Sequence, residues 1–174
     1  MRIYLIGYMG TGKSSMGKKL AARMDFSFID LDRRIENEQK KTITQLFIEK
    51  GEDDFRFLER LALHQTFEIE NAIIATGGGT PIFFDNMEMM NAKGLCIYLR
   101  ANTDVLISRL LPNQHLRPLI ASLNQAELQD FIEGQLEKRI PFYEKAQLHV
   151  ESKDLTPAIL HKEVVSWLQN QNNS

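Results

Sequence analysis

Gly7-Tyr8-Met9-Gly10-Thr11-Gly12-Lys13-Ser14 fits the pattern G-x-x-x-x-G-K followed by Ser or Thr at every fixed position, and each fixed residue has a physical task. The glycines let the chain turn with positive φ, so that successive backbone N–H groups point inward as an anion nest. The helix behind the loop adds its positive N-terminal end. Lys13 is the side chain that reaches β- and γ-phosphates, and the Ser14 hydroxyl is a ligand type for Mg2+. The setting makes the match specific. Arg2 to Ile6 is a β-rich apolar run, and Ser14 to Met24 repeats Met16, Leu20 and Met24 at helical spacing. Strand, loop and helix in that order predict a nucleoside triphosphate site rather than a glycine-rich turn without nucleotide.

Outward from this unit the alternation repeats. A second apolar run, Phe26 to Ile29, ends in Asp30-Leu31-Asp32, and a charged helix follows. Thr42 caps a helix over Ile43 to Lys50 that stops at Gly51, and Asp53 or Asp54 opens the next, which carries Phe57, Leu58, Leu61 and Leu63 towards Ile69. Ala72 to Ala75 reads as a third strand, broken by Thr76-Gly77-Gly78-Gly79-Thr80-Pro81. A helix over Asn86 to Lys93 leads through Gly94 into the strand Leu95 to Leu99, and a helix from Thr103 fades near Leu111-Pro112. Residues 113–124 show no period and read as a mobile loop. Ala126 to about Tyr143 is helical, Leu148 to Glu151 is a fifth strand, and Pro157 stands at the first position of a terminal helix. Strands alternating with helices predict an α/β fold with a parallel sheet, in one domain over residues 1–174.

Composition narrows the partners. The 174 residues are 43% hydrophobic and 25% charged, and 21 Lys and Arg against 23 Asp and Glu leave a net charge of −2. A phosphate-neutralising nucleic-acid binder is normally basic, so nucleic acid is not expected as a partner. The lone Cys96 excludes an intramolecular disulfide and a multi-cysteine zinc site. No apolar run approaches the roughly 20 residues that span a bilayer, and Met1-Arg2 leads straight into a strand rather than a signal peptide. A cytoplasmic protein is expected, and, with no coiled-coil or long apolar stripe, a monomer.

A GTPase would need Asn-Lys-x-Asp and a switch Asp-x-x-Gly, and the chain has neither; the small size points to a metabolite kinase. In Gly7 to Ser14, Asp30-Leu31-Asp32, Phe55-Arg56 with Glu59, Ile73-Ile74-Ala75-Thr76-Gly77-Gly78-Gly79, Arg117-Pro118-Leu119 and Arg139-Ile140-Pro141-Phe142-Tyr143, the chain resembles the shikimate kinases over about residues 2–167. The resemblance implies a three-layer P-loop kinase fold of the nucleoside-monophosphate-kinase type. That is a five-stranded parallel sheet flanked by helices, with a lid near residues 111–124 and a substrate-binding helical segment near residues 31–60. It implies transfer of the ATP γ-phosphate to the 3-hydroxyl of shikimate, with Mg2+. The alternatives are another small-metabolite P-loop kinase, of gluconate or nucleotide type, and a nucleotide-binding regulatory module without turnover.

Asp30 and Asp32, two apart at a strand end, are expected to leave one face, one for a metal shell and one for an acceptor hydroxyl; as a surface pair they would instead cap the next helix. The resemblance assigns Asp30 with Ser14 to Mg2+, partly through water, and Asp32 to the hydroxyl. Arg56 and Arg139 can each grip a carboxylate through two parallel hydrogen bonds, against a solvated surface role for either alone. The resemblance makes them the substrate-carboxylate clamp, with Glu59 beside Arg56. Gly77, Gly78 and Gly79 sit at the C-terminal end of a buried strand, where parallel sheets bind ligands; by resemblance they meet the ring hydroxyls, and Phe47 and Phe55, otherwise core residues, pack against the carbocycle. By resemblance Gly10, Thr11, Gly12, Lys13, Ser14 and Ser15 hold ATP. Arg117 reaches the transferring phosphate from the lid, Arg109 stacks on adenine and Pro157 lies across from it. The catalytic set is then Lys13, Asp32 and Arg117. The four histidines and the Met87, Met89, Met90 cluster read as packing or surface residues, and Cys96 as an inert buried thiol.

Overall fold

Strand β1 (Arg2–Ile6) is apolar on both faces because it runs through the middle of the molecule. Tyr4 and Ile6 belong to one apolar cluster and Ile3 and Leu5 to another, on opposite sides of the sheet. The computed structural model describes residues 1–117 and 119–172, with Leu116 and Asn172 described through their backbone alone. Strands β2 (Ser27–Asp30), β3 (Ala72–Ala75), β4 (Leu95–Arg100) and β5 (Leu148–Glu151) join β1 in the order β2-β3-β1-β4-β5, every pair parallel. Tyr4 stands opposite Ile74 on one side and Cys96 on the other. The five-stranded parallel α/β sheet expected from the sequence is the one observed.

Helices α1 (Lys13–Met24) and α7 (Pro157–Asn172) cover the face of Ile3 and Leu5 through Leu20, Ala21, Leu160 and Val164. The opposite face takes α2 (Leu31–Gln39), α3 (Ile43–Gln65), α4 (Asn86–Lys93), α5 (Thr103–Leu110) and α6 (Gln125–Tyr143). Parallel strands end on the same edge, so the segments after β1, β2 and β3 emerge side by side. Pro157 opens α7, as expected.

Three departures from expectation bear on the site. The second strand ends on Asp30, which is also the N-cap of α2, and Asp32 lies in the first helical turn. Strand alternation therefore does not place the two carboxylates; the helix start does. Gly51, at φ 81° and ψ 174°, breaks α3 as anticipated, but the helix resumes at Glu52, ahead of Asp53 and Asp54. Finally, the stretch read as an aperiodic loop begins with a short 3-10 helix over Leu111–Leu116. Ile120 is fully buried there, and Gln114 Nε2 donates to the carbonyls of Ile120 and Leu123 at 2.6 Å each. Ile120, the partly buried Leu123 and one amide fasten this stretch, and none of them leaves a period. Pro118 lies outside the described residues.

Helix α1 approaches the sheet closely because Gly17 has no side chain: a Cβ there would sit 2.7 Å from Phe28 Cε2 and 3.1 Å from Leu5 Cδ1. Gly17→Val is expected to cost on the order of 2 kcal/mol through overpacking, read as a lower midpoint in urea denaturation. An unchanged midpoint would contradict this close approach.

Candidate active site

The loop between β1 and α1 has the backbone of an anion nest. Gly7, Gly10 and Gly12 stand at φ 138°, 85° and 93°, a region that side chains other than glycine rarely occupy. Thr11 is buried and donates its hydroxyl to Tyr8 O at 2.8 Å. Lys13 curls over the loop and donates Nζ to Gly7 O at 2.7 Å and Tyr8 O at 2.9 Å. Burial lowers its pKa to about 8, although Asp32 and Asp30 pull it upward.

Ser14, in the first turn of α1, donates Oγ to Asp30 Oδ2 at 2.6 Å, while Asp30 Oδ1 accepts from Arg33 N at 3.2 Å. Asp30 thus caps α2 and faces the nest at once; the two readings of this residue are compatible. Asp32 is pushed up to about 6, first by burial, then by the charges of Glu59 and Asp30, with Lys13 opposing. Gly10, Gly12, Lys13, Ser14, Ser15, Asp30, Asp32, Gly78, Arg109 and Arg117 line one cleft of about 430 Å³, and Met9, Arg33 and Thr76 complete its wall.

The rest of the expected substrate set lies alongside. Glu59 is 1% exposed. Its Oε2 accepts from Arg56 Nη1 at 2.9 Å and its Oε1 from the Thr80 hydroxyl at 2.5 Å. Phe47 and Phe55 pack at 4.4 Å between ring centroids, and Arg56 lies over both, at 5.5 and 5.3 Å. Arg139 donates to Gln135 Oε1 at 2.8 Å and lies 5.1 Å from the Tyr8 ring centre. The glycine run brings these groups together. A Cβ on Gly77 would sit 2.5 Å from Glu59 Oε1 and 2.9 Å from Asp32 Oδ1; one on Gly78 would sit 3.2 Å from Arg139 Nη1, and one on Gly79 2.5 Å from Arg56 Nη1. Tyr143 fixes the run from below by donating its hydroxyl to Gly78 O at 2.6 Å.

Arg109 binds the protein itself, donating to Ser152 O at 2.5 Å, Ser152 Oγ at 3.1 Å and Gly10 O at 3.3 Å. It ties the end of β5 to the phosphate loop. Pro157 is the first residue of α7 and is not among the residues lining the cleft. Sequence reasoning missed Tyr8, Thr80, Phe83, Gln135 and Ser152 as neighbours of the site. Thr80 and Phe83 carried one signal, their place just after the glycine run. The bland readings hold for Met87 and Met90, which are core, and for Cys96, whose thiol burial pushes far above its ordinary pKa.

Comparison with known proteins agrees with this geometry. The protein-family model described as shikimate kinase matches residues 9–169. A shikimate kinase of Parabacteroides distasonis is 47% identical over 161 residues, 92% of this chain and 93% of its own length. The crystal structure of shikimate kinase from Bacteroides thetaiotaomicron superposes with a TM-score of 0.89 at 44% identity, covering 100% of this chain and 99% of that one. Shikimate kinase from Acinetobacter baumannii in complex with shikimate gives 0.87 at 27% identity, covering 98% and 93%. The chain belongs to the shikimate kinase family, ATP-dependent phosphotransferases that act on shikimate.

Proposed function

We propose that this chain transfers the γ-phosphoryl group of ATP to the 3-hydroxyl of shikimate, giving ADP and 3-phosphoshikimate on the chorismate route to aromatic amino acids, with the residues above in the following roles. One observation carries the reading: the phosphate nest with Lys13 and the two arginines Arg56 and Arg139 converge on the single run Gly77–Gly79. A nest and a carboxylate clamp side by side suit a phosphate donor and a carboxylated polyol, not a nucleotide acceptor.

Phosphoryl transfer passes through a loose transition state, so positioning and charge stabilisation do most of the work. Backbone N–H groups from Gly10 to Ser15 cradle the phosphates, and Lys13 exchanges its carbonyl partners for phosphate oxygens. Ser14 and Asp30 offer two hard oxygens 2.6 Å apart at the mouth of the nest. This fits Mg2+, which takes few protein ligands and keeps several waters; when bound, the ion neutralises phosphate charge. Asp32 orients the acceptor hydroxyl and takes its proton. Arg56 and Arg139 hold the carboxylate, Glu59 orients Arg56, Gly77–Gly79 meet the ring hydroxyls, and Phe47 and Phe55 pack against the carbocycle. Arg117 stabilises the transferring phosphoryl group, and Arg109 and Pro157 flank adenine.

Residues 1–174 act in this account as one kinase domain. Residues 111–124 are the lid, whose closure excludes water and limits wasteful ATP hydrolysis, and residues 31–60 are the substrate-binding segment. Among the described residues no helix is long and apolar enough to cross a membrane, and the net charge of −2 gives nucleic acid no electrostatic hold. The reading places the protein in the cytoplasm as a monomer.

Arg139→Lys keeps the charge and loses bidentate geometry, so the KM for shikimate is expected to rise on the order of tenfold while the KM for ATP stays put. Equal rises in steady-state assays would contradict the clamp. The pH profile of kcat/KM should climb through about 6 as Asp32 ionises and fall above about 8 as free Lys13 loses its proton. Asp32 has a raised pKa in the folded state, so its contribution to stability is full below the ordinary 3.8 and is lost as pH rises through about 6. Asp32→Asn is therefore expected to lower kcat on the order of a hundredfold or more. It should also raise Tm at pH 8 on the order of 5 °C, with the gain fading towards pH 4. A Tm difference independent of pH in thermal melts would contradict the buried-carboxylate account.

A further inference from the structure

The turn after the glycine run makes two contacts with the clamp that the activity alone does not demand. Thr80–Ile82 form a 3-10 helix, closed by Thr80 N donating to Gly77 O at 3.2 Å and Ile82 N donating to Gly79 O at 2.9 Å. Asn86, fully buried at the start of α4, donates Nδ2 to Thr80 O at 2.9 Å and fixes the turn from outside. From this turn the fully buried Thr80 hydroxyl reaches Glu59 Oε1. Phe83, the next residue, places its ring centre 4.3 Å from the Arg56 guanidinium, nearer than Phe47 or Phe55.

We propose that Thr80 and Phe83 are positioning residues for substrate binding: Thr80 through Glu59, and Phe83 through its ring, hold the Arg56 guanidinium in the orientation that receives a carboxylate. The inference rests on Arg56 being the clamp.

Arg56 carries five N–H donors. Its Nε and one Nη2 hydrogen go to Glu52 Oε1, at 3.3 and 3.1 Å, and one Nη1 hydrogen goes to Glu59 Oε2 at 2.9 Å. What remains is one N–H on each Nη, two donors for a substrate carboxylate. A buried carboxylate seeks donors for both oxygens. With the Thr80 hydroxyl in place, Glu59 Oε1 is satisfied and Glu59 touches Arg56 through a single oxygen. Without it, Oε1 loses its donor while Oε2 stays bonded to Arg56, and a guanidinium that turned to serve both oxygens would consume the N–H groups that the substrate needs. Phe83 restricts the tilt of the guanidinium plane by a cation–π contact.

The test is steady-state kinetics with MgATP and shikimate on Thr80→Val, Thr80→Ser, Phe83→Leu, Arg56→Ala and the Thr80→Val/Arg56→Ala pair. Thr80→Val is expected to raise the KM for shikimate about tenfold and to leave the KM for ATP within about twofold, while Thr80→Ser restores the wild-type value. Phe83→Leu is expected to raise the KM for shikimate about threefold, also without change for ATP. The paired variant should be no worse than Arg56→Ala alone, because the two residues act on one interaction. An unchanged KM in Thr80→Val, equal rises for both substrates, or a full extra factor on the Arg56→Ala background would overturn the inference while leaving the clamp intact. An unaffected KM in Arg56→Ala would remove the clamp itself and the inference with it. If Thr80→Val does not fold, Thr80→Ala carries the same comparison.

Discussion

A carboxylate buried away from water needs a donor on each oxygen, and the acceptor half of this site is assembled around one such group. Glu59 takes the Arg56 guanidinium on one oxygen and the Thr80 hydroxyl on the other. Those two bonds tie α3 to the turn behind β3. They also fix how close the backbone between the elements must come. Gly77 passes against Glu59 and Asp32 where any Cβ would collide, and the charge of Glu59 is one of the forces that hold the Asp32 carboxyl up near 6. One buried side chain thereby braces the clamp and the glycine run, and adds to the burial that raises the proton affinity of the group beside the acceptor.

The donor half depends on a different constraint. Parallel strands deliver their C-terminal ends to one edge, and α1 begins there with its N–H groups pointing outward. The chain after β1 can turn into that helix only through residues at positive φ, supplied by Gly7, Gly10 and Gly12. Lys13 then sits buried among backbone carbonyls with its proton held less tightly than usual. The two halves meet because β1 and β3 are neighbours, so Gly7 and Gly77–Gly79 leave the sheet side by side. In this account acceptor choice comes from Arg56 and Arg139 and donor choice from the nest.

The sheet was legible because its signals are local. Apolar runs such as Ala72 to Ala75 and Leu95 to Leu99 are buried on both faces and end in glycine or polar residues, and the Thr42 and Pro157 helix starts follow from backbone chemistry within a few residues. The phosphate loop was legible for the same reason. Asp30 and Asp32 were found for a reason that did not hold, since helix geometry places them rather than strand alternation. The Arg109 contact with Ser152 joins residues 43 apart in sequence, and the Thr80 contact with Glu59 joins residues 21 apart. No periodicity encodes such pairs; they exist only once β5 has been laid beside β4 and α3 against the turn after β3. Ile120 is invisible for a related reason, as a single buried anchor in a polar stretch has no pattern to repeat.

The central claim is that this cleft pairs ATP with shikimate, its carboxylate held by Arg56 and Arg139 and its carbocycle packed on Phe47 and Phe55. The most direct measurement is ADP release from MgATP alone and with shikimate, gluconate or AMP as acceptor. The account predicts strong stimulation by shikimate and little by the other two. Stimulation by gluconate or AMP equal to that by shikimate, or ATP binding with no acceptor-dependent turnover, would contradict it.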